Sequence, residues 1–263
     1  MGLIVMIGCG RMGGAMASQW RRQHEVVALT TGASQLPEGV QSISEHDLPG
    51  LQDPLAVVLA VKPQTFPGLV PSLAPLRRQD PLFISVMAGL RLDVLASQLD
   101  RSKRLVRAMP NSAAAIARSM TVATARSDLS GKDRTTAIRL LLEIGHCEWL
   151  DDETLIDAAT AVSGSGPAYF FRFAEALVSA GVNAGLSPQL AQTLARSTLS
   201  GAGALAAEPD ASLSELREEV TSAGGTTAAG LAELVRDHSI DCLCQRVVDA
   251  AMARSRALAA GEK

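Results

Sequence analysis

The first half of the chain alternates short, continuous apolar runs with segments of helical periodicity. The runs are rich in β-branched residues and are bounded by turn-forming residues, as strands are. Apolar residues at consecutive positions indicate strands covered on both faces, and the residues between them leave room for crossover helices. The pattern therefore predicts a parallel sheet of the doubly wound α/β class. The predicted strands are LIVMI (3–7), VVAL (26–29), LAVVLAV (55–61), LFISV (82–86) and RLVRAM (104–109).

A glycine-rich turn of the form G-x-G-x-x-G follows the first predicted strand, and a helical segment follows the turn. In such a turn the first glycine allows a tight bend, the second lets a pyrophosphate approach the backbone, and the third lets helix and strand pack closely. Because strand, turn and helix occur in this order, we predict dinucleotide binding here, with a plain glycine turn as the alternative. The residues of the turn are Gly8, Cys9, Gly10, Arg11, Met12 and Gly13.

The position about twenty residues beyond the glycines is where an NAD-binding unit places a carboxylate for the ribose hydroxyls. Here that position falls near Thr30 and Thr31, with Ser34 following, so no carboxylate repels a 2′-phosphate. No arginine or lysine lies between Arg22 and Lys62 to attract a phosphate either. We expect Thr30 and Ser34 to contact the cofactor, and NADPH to be preferred to NADH.

The later predicted strands end in small residues, proline or asparagine. Pro63 ends the third strand, directly after Ala60, Val61 and Lys62. Ligands of doubly wound sheets bind outside the carboxyl ends of the strands, so these four residues are expected to border the cofactor. An ordinary exit turn with a solvated lysine would give the same pattern. Asn111 ends the fifth strand at the same edge and is also a predicted cofactor residue.

Strand patterns vanish beyond about residue 153, and long amphipathic segments take their place. Two of them, beginning near Pro167 and at Ser187, are apolar over more than half of their circumference. The helical half is too small to cover these apolar faces with its own helices, and we therefore expect it to pack against a second copy of the chain. A compact monomer is the alternative. We place the nucleotide-binding domain at 1–150 and the helical domain at 151–263.

The stretch VTSAGGTTAAG (220–230) lies between two predicted helices. Its glycines end the first helix, and a hydroxyl of Thr226 or Thr227 is expected to cap the second. The amides of Gly225, Thr226 and Thr227 would then form an anion site at a helix N-terminus, suited to a substrate carboxylate. One threonine hydroxyl would remain for a second substrate atom.

Charge and cysteine content exclude several classes of partner. The net charge is −3 and the chain has no long basic run, which argues against nucleic acid and anionic membranes. The first apolar run, LIVMI, is only five residues long and lacks a basic leader and a cleavage site, so we expect no signal peptide. No stretch of eighteen uncharged apolar residues predicts a membrane span. The four cysteines lack the paired spacing of a zinc site, so we expect no metal and reduced thiols in a cytoplasmic protein.

Six segments in order resemble the pyrroline-5-carboxylate reductase family over essentially the full chain. The resemblance implies a Rossmann domain followed by an all-helical dimerisation domain, with further assembly of dimers left open. It also implies NAD(P)H-dependent reduction of the small imino acid 1-pyrroline-5-carboxylate to L-proline, the last step of proline biosynthesis. The segments are IGCGRMGGAM, LAVKPQ, SVMAGL, RAMPNS, DAATAVSGSGPAYFF and VTSAGGTTAAGL, of which the last two are close to diagnostic.

The resemblance further implies roles for individual residues. Met87, Ala88 and Gly89 would contact the cofactor. The Thr227 hydroxyl would bond the ring nitrogen of the substrate, as a catalytic hydrogen-bond partner. Glu153 falls at a position associated with the substrate pocket.

Three departures from the family pattern keep other functions open. The family usually has proline where Ala223 stands, a neutral amide where Glu219 stands, and Thr-Pro where Ser112 and Ala113 stand. A related cyclic imino acid as substrate, or a non-catalytic nucleotide-binding homologue, therefore remains an alternative. A reductase of the β-hydroxyacid class is disfavoured because its lysine-bearing helix motif is not apparent.

Overall fold

The computed structural model describes residues 1–30, 36–208 and 210–259 and divides the chain into two compact units. The first, which we call the sheet unit, comprises Met1–Ser165 and Ala250–Lys263; the second, the helical unit, is Gly166–Asp249. These units are defined by contacts within the chain. The functional division into residues 1–150 and 151–263 stays a prediction.

In the described part of the chain, eight strands form one sheet with the order β3-β2-β1-β4-β5-β6-β7-β8. Neighbouring strands are parallel except β6 and β7, which are antiparallel. The predicted α/β class with an N-terminal Rossmann sheet is confirmed. The strands are β1 (Leu3–Ile7), β2 (Glu25–Leu29), β3 (Gln41–Ile43), β4 (Ala56–Leu59), β5 (Phe83–Ser85), β6 (Leu105–Met109), β7 (Ser119–Ala125) and β8 (Gly145–Leu150).

All five predicted strands are present and are parallel to one another, and the one antiparallel pair, β6 and β7, includes a strand that was not predicted. Only a short 3₁₀ turn, Ser112–Ile116, separates β6 from β7, and Ala117 adopts a left-handed conformation with φ 55°. A connection this short cannot cross over the sheet, so the chain returns antiparallel. Strands β3, β7 and β8 were not predicted.

Helices cover both faces of the sheet. Trp20 of the first helix is fully buried on one face, where its Nε1 donates to the carbonyl of Leu140 at 2.7 Å. Phe66 and Leu95 are buried in the apolar cluster on the other face. The helices of the sheet unit up to residue 165 are α1 (Arg11–Trp20), α2 (Phe66–Leu69), α3 (Ala74–Arg77), α4 (Leu92–Gln98), α5 (Gly131–Leu142) and α6 (Ile156–Ala159), followed by a π-helical turn, Thr160–Gly164.

The first turn of α5 is fixed by a largely buried carboxylate. Asp133 accepts from Arg104 Nη2 at 2.8 Å and from the Ser130 hydroxyl at 2.8 Å. Burial on its own raises the pKa of Asp133, but the hydrogen bonds from Arg104 and Ser130 outweigh it, so the pKa lies below the ordinary 3.8. A carboxyl with a lowered folded-state pKa contributes stability above its unfolded pKa, and that contribution is lost as the pH falls below about 3.8.

We therefore expect Asp133→Asn to lower the free energy of unfolding by about 1–2 kcal/mol near neutral pH, a figure reduced for the exposure of Arg104. The difference from the unchanged protein should be smaller near pH 3, because the carboxyl of the unfolded chain, with its ordinary pKa of 3.8, then takes up a proton and the contribution to stability is being lost. Urea denaturation at both pH values measures this. Asp100→Asn, at an exposed carboxylate that pairs with Arg77, is the matched control. An equal difference at both pH values would contradict the assignment.

Helix α8 begins at the residues that the sequence predicted. Ser187 caps α8 by accepting from the amide of Leu190, and Pro188 is its first residue. Gly181 lets α7 pack closely against the turn that leads to α8, since a Cβ there would lie 3.2 Å from Leu186 Cδ1. The remaining helices are α7 (Gly166–Asn183), α8 (Pro188–Leu205), α9 (Leu213–Glu219), α10 (Thr226–Val235) and α11 (Ser239–Ala259), the last of which contributes residues to both units.

Candidate active site

The glycine turn after β1 is shaped by close backbone contacts at two of its three glycines. Gly8 has φ +92°, and a Cβ there would lie 2.6 Å from Val61 Cγ1. A Cβ on Gly13 would lie 2.6 Å from the carbonyl oxygen of Gly8. In contrast, a Cβ on Gly10 would meet no described atom within 4 Å. Gly8 and Gly13 are therefore needed by the fold, whereas Gly10 keeps space open beside the backbone.

The N-terminus of α1 has the properties of an anion site. Gly10 is the N-cap residue, no side chain caps the helix, and no acidic residue lies in its first turn. The first amides of the helix consequently point outward without a capping side chain. A helix N-terminus beside open backbone space is the arrangement that binds dinucleotide phosphates.

A cleft of about 640 Å³ lies at the carboxyl ends of β1, β2 and β4. Seven predicted cofactor residues line it together: Gly8, Cys9, Gly10, Thr30, Ala60, Val61 and Lys62. The sequence did not single out the other residues of the wall, which include Gln64, Thr65 and Gly68. Pro63 follows Lys62 in the turn that leads to α2, where its carbonyl accepts from the amide of Phe66 at 3.3 Å.

The Cys9 side chain faces inward from the glycine turn and is buried. Burial raises the pKa of this thiol above its usual value. The group is therefore a neutral thiol near neutral pH, and it adds no negative charge beside the first turn of α1.

Arg11 brings a positive charge to the glycine turn itself. It is exposed at the start of α1 and lines a second cavity of about 470 Å³, which shares Cys9 and Gly10 with the cleft and is also lined by Leu36 and Pro37. The stretch between Arg22 and Lys62, which has no arginine or lysine, lies after Arg11 in the chain. The predicted residue Ser34 lies outside the described residues.

Some predicted cofactor residues are not among those that line the cleft. Met12 and Gly13 lie within α1, and Met87, Ala88 and Gly89 lie in the turn after β5. Gly89 has φ +78° and packs on the end of α11, because a Cβ there would lie 3.0 Å from the Ala259 nitrogen.

Asn111 is nearly buried and its side chain makes structural contacts. Its Nδ2 donates to the carbonyl of Ser163 at 3.0 Å, and its Oδ1 accepts from the amide of Ala113 at 3.1 Å. The side chain therefore joins the end of β6 to the π-helical turn at 160–164.

Glu153 is held by an arginine that is not among the predicted site residues. Its Oε1 accepts from Arg107 Nη1 at 2.8 Å and from the amide of Leu92, the first residue of α4, at 2.9 Å. Arg107 lies in the middle of β6 with only 3% of its side chain exposed. Glu153 thus connects a central strand to the start of a helix.

The loop before α10 differs in detail from the expectation. Gly225 is the N-cap residue and no side chain caps the helix, so the prediction that a threonine hydroxyl caps it is wrong. Gly224 has φ +69°, and the Gly225 amide donates to the carbonyl of Ser222 at 3.0 Å. The amides that an anion could use are therefore those of Thr226 and Thr227, whose side chains are both exposed.

Neither a possible metal cluster nor a helix that could span a membrane occurs in the described ranges. Three or more His, Cys, Asp or Glu side chains do not come together there as a possible metal site. None of the helices in those ranges has the length and apolar character needed to cross a membrane.

Comparison with known proteins gives matches over the whole chain. Residues 153–258 match the family model described as pyrroline-5-carboxylate reductase dimerisation, and residues 3–89 match the one described as NADP oxidoreductase, coenzyme F420-dependent. The pyrroline-5-carboxylate reductase of Pseudomonas aeruginosa is 34% identical over 97% of this chain and 96% of its own. That of Mycobacterium tuberculosis is 33% identical over 98% of this chain and 97% of its own.

Solved structures agree with these matches. A pyrroline carboxylate reductase of Plasmodium falciparum with NADP bound has a TM-score of 0.83 and 26% identity, covering 98% of both chains. A pyrroline-5-carboxylate reductase of Coxiella burnetii has a TM-score of 0.88 and 27% identity, covering 100% of this chain and 99% of its own. By sequence identity over nearly its entire length, the chain belongs to the pyrroline-5-carboxylate reductase family.

Proposed function

We propose that the chain reduces 1-pyrroline-5-carboxylate to L-proline with NADPH, and more slowly with NADH. The observation that carries this proposal is the glycine turn at the mouth of the cleft, where Gly10 leaves room for a pyrophosphate. The chain also matches proteins named pyrroline-5-carboxylate reductase over nearly their full length, which supports the same activity.

The residues of the cleft fit a dinucleotide. The uncapped N-terminus of α1 would hold the pyrophosphate through backbone amides, and Arg11 and Lys62 would supply positive charge near the phosphates. Arg11 could interact with a 2′-phosphate, which supports the preference for NADPH. When bound, the reduced nicotinamide supplies the hydride that adds to the carbon of a C=N bond.

The proposed substrate contacts come from the start of α10. The amides of Thr226 and Thr227 would bind the substrate carboxylate, and the Thr227 hydroxyl would bond the ring nitrogen. The Gly225 amide already donates within its loop, so it would shape this site more than bind the anion directly. Glu153 stays a proposed residue of the substrate pocket. Its Oε1 is bonded to Arg107 and to the amide of Leu92, so a substrate contact would use its Oε2.

The test is the oxidation of NADPH and of NADH, followed by absorbance, with 1-pyrroline-5-carboxylate and with its six-membered homologue. We expect rapid turnover of the five-membered ring and a higher kcat/KM with NADPH. Cofactor binding without turnover of either ring would contradict the proposed reaction.

A related cyclic imino acid is the second candidate substrate, and one local feature favours it. Glu219 is the last residue of α9, exposed and close in sequence to the loop before α10, where its negative charge disfavours a carboxylate. Ala223 also leaves that loop without the rigidity of a proline. Faster turnover of the six-membered ring would establish this alternative.

We also propose that the helical unit forms a homodimer. Its apolar side chains are widely exposed in the single chain: Phe170 is 64% exposed and Leu205 is 54% exposed. Exposed apolar surface on this scale is characteristic of an interface. The match of residues 153–258 to a dimerisation family supports a second copy as the partner.

Leu194→Asp is expected to convert the dimer to a monomer at micromolar concentration, because it places a charge in the centre of the exposed face of α8. Size-exclusion chromatography with light scattering measures the mass. Val94→Asp, at an exposed apolar position on α4 in the sheet unit, is the control and should stay dimeric. A dimeric Leu194→Asp protein would argue against this interface.

We propose a cytoplasmic location, because Cys9, Cys147, Cys242 and Cys244 are all free thiols. Free cysteines suit a reducing compartment. Burial and, to a smaller extent, the negative charge of Glu148 raise the pKa of Cys147 to about 11, so this thiol is protonated near neutral pH. Cell fractionation tests the location, and recovery of the protein with membranes or outside the cell would contradict it.

A further inference from the structure

A cavity of about 460 Å³ within the sheet unit contains a group of charged side chains that the proposed reaction does not fully use. Arg91, Arg107 and Arg256 line it together with the carboxylates of Glu153 and Asp157. The three arginines come from β6, from the residue before α4, and from α11. Three separate elements therefore bring guanidinium groups to one cavity.

Arg107 is the buried part of this group. Only 3% of its side chain is exposed, and its Nη1 donates to Glu153 Oε1 at 2.8 Å. Its Nε is buried and has no hydrogen-bond partner among the described residues. A buried guanidinium with an unused donor is costly unless another acceptor satisfies it, so this residue indicates an acceptor that the chain itself does not supply.

The other two arginines are at the rim of the cavity and are weakly held. Arg91 is 60% exposed and its nearest carboxylate, on Asp93, is 3.6 Å away. Arg256 is 64% exposed, with its Nε 4.0 Å from Asp157 Oδ2, beyond hydrogen-bond distance. Both guanidinium groups can therefore turn toward a ligand carboxylate, which they match in shape and charge.

Asp157 gives the cavity an acceptor as well. The Ser255 hydroxyl donates to its Oδ1 at 2.7 Å, which fixes the carboxylate against α11. Its Oδ2 is the oxygen that lies 4.0 Å from Arg256. The carboxylates of Glu153 and Asp157 would repel a dianion such as phosphate, whereas Asp157 would attract an ammonium group.

From this arrangement we infer that the cavity binds a small zwitterionic amino or imino acid. Arg91, Arg107 and Arg256 would hold its carboxylate, and Asp157 would accept from its ammonium or secondary amine. The wall formed by α11 is already in place, because Ser255 bonds Asp157 and Gly89 packs against Ala259. This inference does not depend on the proposed reaction, since it concerns binding alone.

The experiment is isothermal titration calorimetry of the full chain without cofactor, with L-proline, acetate and inorganic phosphate as probes. The double variant Arg91→Ala/Arg256→Ala should weaken L-proline binding about tenfold or more, which is the loss expected for charge-assisted hydrogen bonds. Asp157→Asn keeps the acceptor for Ser255 but removes the charge. This variant should weaken the binding of L-proline and leave the binding of acetate unchanged or tighter.

A matched control separates this cavity from other arginines of the surface. Arg126→Ala/Arg172→Ala removes two exposed arginines outside the cavity and should leave binding unchanged. The inference is overturned if L-proline does not bind, if the double variant binds it as tightly as the unchanged protein, or if phosphate binds more tightly than L-proline.

Discussion

Replacing Gly10 by alanine is expected to weaken NADPH binding about ten- to a hundredfold while the protein stays folded, equivalent to about 1.4–2.8 kcal/mol of binding. The new methyl group would meet no described atom within 4 Å, and Gly10 has φ −73°, which alanine adopts without strain. The methyl would instead occupy the space through which a pyrophosphate approaches the backbone. Fluorescence titration with NADPH measures the loss.

Gly13→Ala is the matched comparison for Gly10→Ala. There the new Cβ would lie 2.6 Å from the carbonyl oxygen of Gly8, so helix and strand must separate. We expect a loss of about 2 kcal/mol in the free energy of unfolding, against less than about 1 kcal/mol for Gly10→Ala. Equal loss of stability in both variants, or unchanged NADPH affinity in Gly10→Ala, would contradict this division of roles.

The parts of the fold that the sequence revealed are those with a local signal. Apolar runs identified five strands, because both faces of each are covered, and three of them, β1, β2 and β4, end at the cleft. Strand β7 gave no such signal, since Thr121 and Thr124 are polar yet fully buried within it. Its antiparallel direction follows from the short turn after Asn111, which no periodicity describes.

In the candidate site, too, only the features with a local sequence signal were predicted. The glycine turn and the loop before α10 are contiguous in sequence, so their residue types alone indicated anion sites. The bond from Arg107 to Glu153 joins residues 46 positions apart and depends on the fold. The sequence signal for this pair is an arginine in the middle of an otherwise apolar strand, RLVRAM.

Thr227→Ala is expected to lower kcat/KM for 1-pyrroline-5-carboxylate by roughly ten- to a thousandfold, the effect of removing one positioned donor. Reduction of a C=N bond changes the charge on nitrogen, and a hydroxyl bonded to that nitrogen stabilises the change. Thr227 is exposed in the first turn of α10, so the loss of its hydroxyl should leave stability and NADPH affinity unaltered. Steady-state kinetics together with NADPH titration measures both quantities.

Thr226→Ala is the matched control, because Thr226 is also an exposed threonine in the first turn of α10 and its variant keeps the backbone amide. If the amides bind the carboxylate and only the Thr227 hydroxyl reaches the ring nitrogen, Thr226→Ala should retain most activity and Thr227→Ser should restore it. The same loss in both alanine variants would mean that they act through the helix N-terminus as a whole. Unchanged turnover in Thr227→Ala would instead leave protonation of the imine to solvent, and the role of the chain would reduce to holding the two reactants together.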